Sequence, residues 1–223
     1  MENISIVTGG SSGLGKEIVY KLLEKGKKVC IISRDENKIL EAIKNKENVI
    51  YYAGDVSDEV FIKNTIKDIS KSYYIDYLYN VAGLGISSKP EELYLKDIQK
   101  VFKSNAIGLM VVTCETLRHM TNGGTIVNVM STAALKGNAI ESAYCAAKWA
   151  AKGFTEALQT NYKNTNIKVI GVYPGGMKTP FWDNNRKVDL TTFMDPKEVA
   201  NTIVFNVLEN KTSYISNIVI ERR

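Results

Sequence analysis

Residues 4–33 read ISIVTGGSSGLGKEIVYKLLEKGKKVCIIS, and their pattern decides the fold. ISIV is a short apolar run. KEIVYKLLEKG puts Ile18, Val19, Leu22 and Leu23 on one helical face, and Gly26 stands where a helix stops. KVCIIS is again β-rich. Strand, glycine loop, helix and strand in succession make a βαβ unit. Between the first strand and the helix, Gly9, Gly13 and Gly15 are spaced Gly-x-x-x-Gly-x-Gly. One glycine permits a tight turn, one lets the backbone approach a pyrophosphate, and one lets the helix pack on the sheet. The helix N-terminus adds N–H groups and a positive dipole end, so the loop is a candidate phosphate cradle.

Outward from this unit the alternation continues. ENKILEAIK (36–44) reads as helix and NVIYYA (48–53) as strand. DEVFIKNTIKDISK (58–71) reads as helix, and IDYLYNVAG (75–83) as a strand running into a loop. A long helix is expected over 97–120, a strand at GTIVNVMS (124–131) and a second long helix over 143–162. IKVIGVYPGG (167–176) is a strand opening into a loop. DPKEVANTIVFNVLE (195–209) is a helix with Asp195 as N-cap and Pro196 at its first position, and YISNIVI (214–220) is a last strand. The prediction is an α/β fold: a three-layer, doubly wound parallel sheet of about seven strands in one domain, residues 1–223, with right-handed crossovers. In such sheets ligands bind beyond the carboxyl ends of the strands. The informative polar positions are therefore Thr8 to Gly15, Ser33, Arg34, Asp55, 80–83, Ser131 and 174–179.

Composition narrows the partners. A 44% hydrophobic and 24% charged make-up is that of an ordinary globular protein, and a net charge of +5 from scattered lysines argues against nucleic-acid binding. Cys30, Cys114 and Cys145 show no CxxC spacing, and His119 is the single histidine, so no metal site is expected. His119 reads as a charge partner near a helix end and Cys145 as packing. Free cysteines, no signal-peptide pattern and only strand-length apolar runs predict a cytoplasmic protein with no membrane span.

These motifs together resemble the short-chain dehydrogenase/reductase family, a compact Rossmann-fold type, over essentially the whole chain. TGGSSGLG resembles the family's cofactor loop, GDV (54–56) its adenine-contacting segment and NVAG (80–83) its Asn-Asn-Ala-Gly stretch, with Val81 replacing the second Asn. Asn105 in KSNAIG falls where the family has a helix-breaking Asn. Ser131 lies thirteen residues before Tyr144, and Lys148 lies four after it. YPGGMKT (173–179) resembles the Pro-Gly segment near the nicotinamide. Met130 stands where a second Ser is common.

The resemblance implies hydride transfer between a nicotinamide cofactor and a carbonyl or secondary alcohol, with Asn105, Ser131, Tyr144 and Lys148 catalytic. It implies cofactor contacts from Gly9, Ser11, Ser12, Gly13, Leu14, Gly15, Ser33, Arg34, Asp55, Val56, Asn80, Ala82, Gly83, Tyr144, Lys148, Pro174, Gly175, Met177 and Thr179. NADP(H) is expected over NAD(H): Ser33 replaces the acidic residue that repels a 2′-phosphate, and the Arg34 guanidinium can grip one. Asp35 and Glu36 are expected to serve the following helix instead of the ribose. The alternative is a non-catalytic nucleotide-binding sensor or regulator, against which the intact quartet argues.

On a helix, Tyr144 and Lys148 share a face. An ordinary tyrosine pKa of about 10 suits neutral chemistry poorly. An ammonium about 4 Å away, at an effective dielectric near 20, lowers it by up to about 3 units before desolvation is subtracted. Tyr144 is therefore expected near its working pH. Leu84, Met130, Leu135, Met177, Phe181, Trp182 and Phe193 are expected around an apolar substrate pocket, with the segment after Thr179 as a lid or a packed loop. The resemblance implies a homodimer or homotetramer packed through the two long helices, and Leu109, Val112, Phe154 and Leu158 are apolar positions there beyond one face's need.

Overall fold

The computed structural model describes residues 1–182, 189–209 and 213–223. Its strands are β1 (Glu2–Thr8), β2 (Val29–Ser33), β3 (Val49–Ala53), β4 (Tyr73–Asn80), β5 (Gly124–Val129), β6 (Ile167–Pro174) and β7 (Asn217–Ile220). They form a seven-stranded sheet in the order β3-β2-β1-β4-β5-β6-β7, with every pairing parallel. Both faces of the central strands are apolar, as a parallel sheet requires. On β1, Ile4 and Ile6 enter one core and Val7 the other; on β2, Cys30 and Ile32 oppose Val29 and Ile31. Helices α1 (Gly13–Glu24), α2 (Glu36–Ile43) and α7 (Pro196–Leu208) cover the Val7 face. Helices α3 (Glu59–Ser72), α5 (Gly108–Leu117) and α6 (Ser142–Asn161) cover the other.

The caps follow the sequence. Asp35, Asp58 and Asp195 each accept a hydrogen bond from a backbone N–H in the first turn of α2, α3 and α7. Glu36 accepts from the Tyr51 hydroxyl at 3.0 Å, and Asp35 spends Oδ1 on the α2 cap while lining the cleft beside Arg34.

The helix expected over 97–120 is divided. Helix α4 (Leu95–Phe102) runs into a π-helical turn, Lys103–Ile107, before α5. Asn105 causes it. Its Nδ2 donates to Val101 O at 3.0 Å and to Leu84 O at 2.7 Å, binding a widened turn to the loop after β4. Leu109 and Val112, expected to face a partner, are buried within the chain. Among the described residues no helix is long and apolar enough to cross a membrane, and no cluster of metal-ligating side chains occurs.

Candidate active site

A cleft of ≈ 1470 Å³ opens at the carboxyl ends of the strands, centred where the order reverses between β1 and β4. It exceeds the usual 300–1,000 Å³ of a small-ligand site, leaving room for a dinucleotide and a second molecule.

At its base, Ser12 precedes α1 without spending its side chain on the helix, and the first turn carries no acid. The free N–H groups and the dipole end are available to an anion. Gly9 has φ of 69°, and a Cβ there would lie 2.9 Å from the Ala82 Cα, so only glycine lets the two loops touch. Thr8 secures the contact, a role its place in the loop motif did not reveal. Its Oγ1 accepts from the N–H groups of Val81 and Ala82 at 3.0 and 3.1 Å. Ser11 and Ser33 share a 2.8 Å hydrogen bond, which ties the glycine loop to the end of β2. Arg34 lies beside them, exposed on the cleft wall. Asp55 Oδ1 accepts from the N–H and hydroxyl of Ser57, both at 2.8 Å.

At the other end Ser131, Tyr144 and Lys148 converge on the same cleft. Ser131 follows β5, where its hydroxyl accepts from Ala133 N at 3.1 Å. Lys148 lies with its Nζ 5.8 Å from the centre of the Tyr144 ring and donates to Val129 O at 3.2 Å. Burial pushes the Tyr144 phenol well above the usual range; a hydrogen bond from Ser131 offsets part of this, and Glu141 and Cys145 add to it. Burial brings Lys148 down to about 8. The expected lowering of Tyr144 is therefore corrected. The ammonium faces the ring and a carbonyl, so desolvation of the phenolate exceeds its attraction to Lys148.

The quartet does not converge in full. Asn105 is buried behind the cleft, as is Asn80, which is expected at the cofactor. Asn80 Nδ2 instead donates to Thr113 Oγ1 and Asn128 Oδ1 at 2.8 and 2.9 Å, bracing β4 against β5 and α5. All other expected cofactor residues line the cleft. Leu84, Met130, Met177, Phe181, Trp182 and Phe193 line it too; Leu135 does not, and is 40% exposed. Phe181 stacks edge-on against Tyr144 at 5.7 Å, Trp182 against Phe181 at 5.1 Å and Phe193 against Trp182 at 5.3 Å. Part of the expected lid, 183–188, lies outside the described residues. Sequence reasoning missed Glu141 and Arg222, which also line the cleft. Glu141 reads in sequence as an ordinary helix-start acid, and Arg222 carries no local signal.

A sequence model described as short chain dehydrogenase matches residues 3–189. The chain belongs to the short-chain dehydrogenase family. It is 32% identical over 214 residues to carbonyl reductase family member 4 of Xenopus laevis, covering 92% of this chain and 91% of that one. It is 31% identical to 3-ketodihydrosphingosine reductase of Mus musculus, covering 92% of this chain and 68% of the relative. A solved short-chain dehydrogenase/reductase from Vibrio parahaemolyticus superposes with a TM-score of 0.88 at 29% identity, covering 99% of this chain and 100% of that one. The protein is thus an oxidoreductase of a nicotinamide-binding family. The uncapped, acid-free N-terminus of α1 and the glycine contact with the loop after β4 fit such a dinucleotide.

Proposed function

We propose that the protein transfers hydride between NADP(H) and a ketone, aldehyde or secondary alcohol, with Tyr144 as general acid/base. The observation that carries this reading is the convergence of Tyr144, Ser131 and Lys148 on the cleft that the glycine loop opens into. Similarity to proteins named carbonyl reductase and 3-ketodihydrosphingosine reductase supports the substrate class. The nicotinamide, when bound, supplies or accepts the hydride. Ser131 donates to the substrate oxygen and polarises it. Tyr144, held protonated by burial, gives its proton to that oxygen as negative charge develops there. Lys148, ionised at neutral pH, stabilises the phenolate left behind and holds the nicotinamide ribose.

Asn105 completes the proton path. Its Oδ1 is buried without a protein donor. A Cβ at Gly83 would sit 2.7 Å from that oxygen and 3.6 Å from Lys148 Nζ, so the glycine keeps open a gap between them. A water there would link Lys148 to the loop and onward to solvent.

The same reading makes residues 1–223 one working domain, a cytoplasmic protein acting as a homodimer or homotetramer. The test is a carbonyl panel with NADPH, followed at the nicotinamide absorbance in wild type and Tyr144→Phe. Loss of the phenol proton is expected to lower kcat by about 10²–10⁴-fold with NADPH affinity kept. Wild-type turnover by the Phe variant would remove Tyr144 from the mechanism.

A further inference from the structure

Glu141 lines the cleft and has no part in the chemistry above. It is 8% exposed and stands at the N-terminus of α6, three residues before Tyr144. A carboxylate at a helix N-terminus commonly caps it; this side chain makes no cap bond. One oxygen, Oε2, accepts from Asn138 Nδ2 at 2.9 Å, and no ion pair among the described residues reaches it. Lys148, the buried cation nearby in the chain, donates to Val129 O instead.

The backbone that delivers Glu141 is strained. Ile140 has φ of 58°, a region that β-branched residues rarely enter. The turn is clamped from outside: Ser88 N donates to Ile140 O at 2.8 Å, and Asn138 N donates to Cys145 Sγ at 3.4 Å. Strain of this kind persists only where the surroundings over-determine it, and it concentrates at sites of function. The carboxylate that this turn carries lines the cleft with no lysine or arginine among the described residues paired to it. Strain at Ile140 thus delivers the next side chain, Glu141, to the wall of the cleft.

We propose that Glu141 is a specificity-determining residue that receives an ammonium group carried beside the reacting carbon, so that amino ketones and amino alcohols are the preferred substrates. The place of the amine relative to the reacting carbon rests on the hydride-transfer reading above. An ammonium restores charge balance to the buried carboxylate, which a neutral hydroxyl donor does not. The Glu141 charge also opposes ionisation of Tyr144, so a cation bound between substrate and Glu141 eases the phenolate stage of turnover.

The probe is a matched pair: a β-amino alcohol with a butyl tail, and the same alcohol with methyl in place of the ammonium. Calorimetric titration into the NADP⁺-loaded protein is expected to show wild type binding the amino alcohol about 10- to 150-fold more tightly, the range of a charge-assisted hydrogen bond. Glu141→Gln, whose amide still reaches Asn138, is expected to lose that preference, with NADP⁺ affinity reporting an intact fold. Wild type binding the two alike, or neither, overturns the proposal. So does a Gln variant that weakens both alike, which would make Glu141 a brace for the turn. Oxidation is read separately. Amine-dependent binding without oxidation of either alcohol retires hydride transfer and leaves the ammonium site standing; oxidation of both without preference does the reverse.

Discussion

Tyr144 and Lys148 are neighbours in the cleft yet shifted oppositely by burial, one phenol pushed up and one ammonium brought down to about 8. The lysine carries a stability cost with a defined pH window. Below pH 8 it is charged both folded and unfolded, and the full desolvation cost opposes folding. Between about 8 and 10.5 the unfolded chain holds the proton that the folded chain has lost, so stability rises with pH across that window. At 1.36 kcal/mol per unit the cost is about 3 kcal/mol, offset by about 1 kcal/mol for the bond to Val129 O. Lys148→Met is therefore expected to raise Tm at pH 7 by roughly 4–8 °C while abolishing turnover, with the gain shrinking by pH 10. Thermal melts at both pH values check it, and an unchanged Tm at pH 7 would contradict the burial argument. Arg34 is the second residue with a sharp expectation. It stands on the cleft wall beside the Ser11–Ser33 bond, where Asp35 spends one oxygen capping α2 and Glu36 bonds Tyr51. Arg34→Ala is expected to reduce the NADPH:NADH ratio of kcat/KM by about 10- to 150-fold, the worth of a charge-assisted contact. A wild type that prefers NADH, or a ratio the substitution leaves alone, removes Arg34 as the selector.

At the scale of elements, two loops and one irregular helix make the site. The loop before α1 and the loop after β4 meet through Gly9, and Thr8 locks them by two backbone N–H groups. Gly9→Ala combines a left-handed backbone angle with a 2.9 Å clash against main chain, which has no rotamer to escape through. We expect a loss of about 1–3 kcal/mol in urea unfolding together with weakened NADPH binding. Full stability and affinity in that variant would show that the loops need not touch. The π-turn at Lys103–Ile107 illustrates partial legibility. An asparagine inside an apolar helix already signalled an irregularity, because a buried amide needs partners. Which partners it takes, Val101 and Leu84, depends on a loop about twenty residues earlier in the chain. Asn80 was legible in part for the same reason: its motif does not reveal that its amide braces Thr113 and Asn128.

For the whole molecule, exposed apolar side chains occur on several helices, Val60, Leu95 and Phe205 among them, and two lie on packed neighbouring elements. Helix α6 lies against the π-turn, and Trp149 and Ile107 on these two elements are 48% and 43% exposed. A tryptophan left half in water on α6, and a large apolar side chain exposed on the turn it packs against, suit a symmetric interface. Light scattering at micromolar concentration is expected to give a multiple of 24.8 kDa, and Trp149→Glu to return the monomer mass. A wild-type particle of that single mass would remove the interface.

The sequence by itself determined the layer architecture, the strand count and most of the strand-end residues that line the cleft. Those depend on local period, on caps and on glycines, and each acts within a few residues of where it is written: the run from Ile4 to Ser33 sets its βαβ unit without help from afar. Only the tertiary structure decided what the side chains experience. Desolvation of Tyr144, the unpaired burial of Glu141, the inward turn of Leu109 and Val112, and the aromatic run from Tyr144 to Phe193 depend on segments distant in the chain brought into one low-dielectric space. Electrostatic energy depends on distance and surroundings in space, and residue order alone does not specify either.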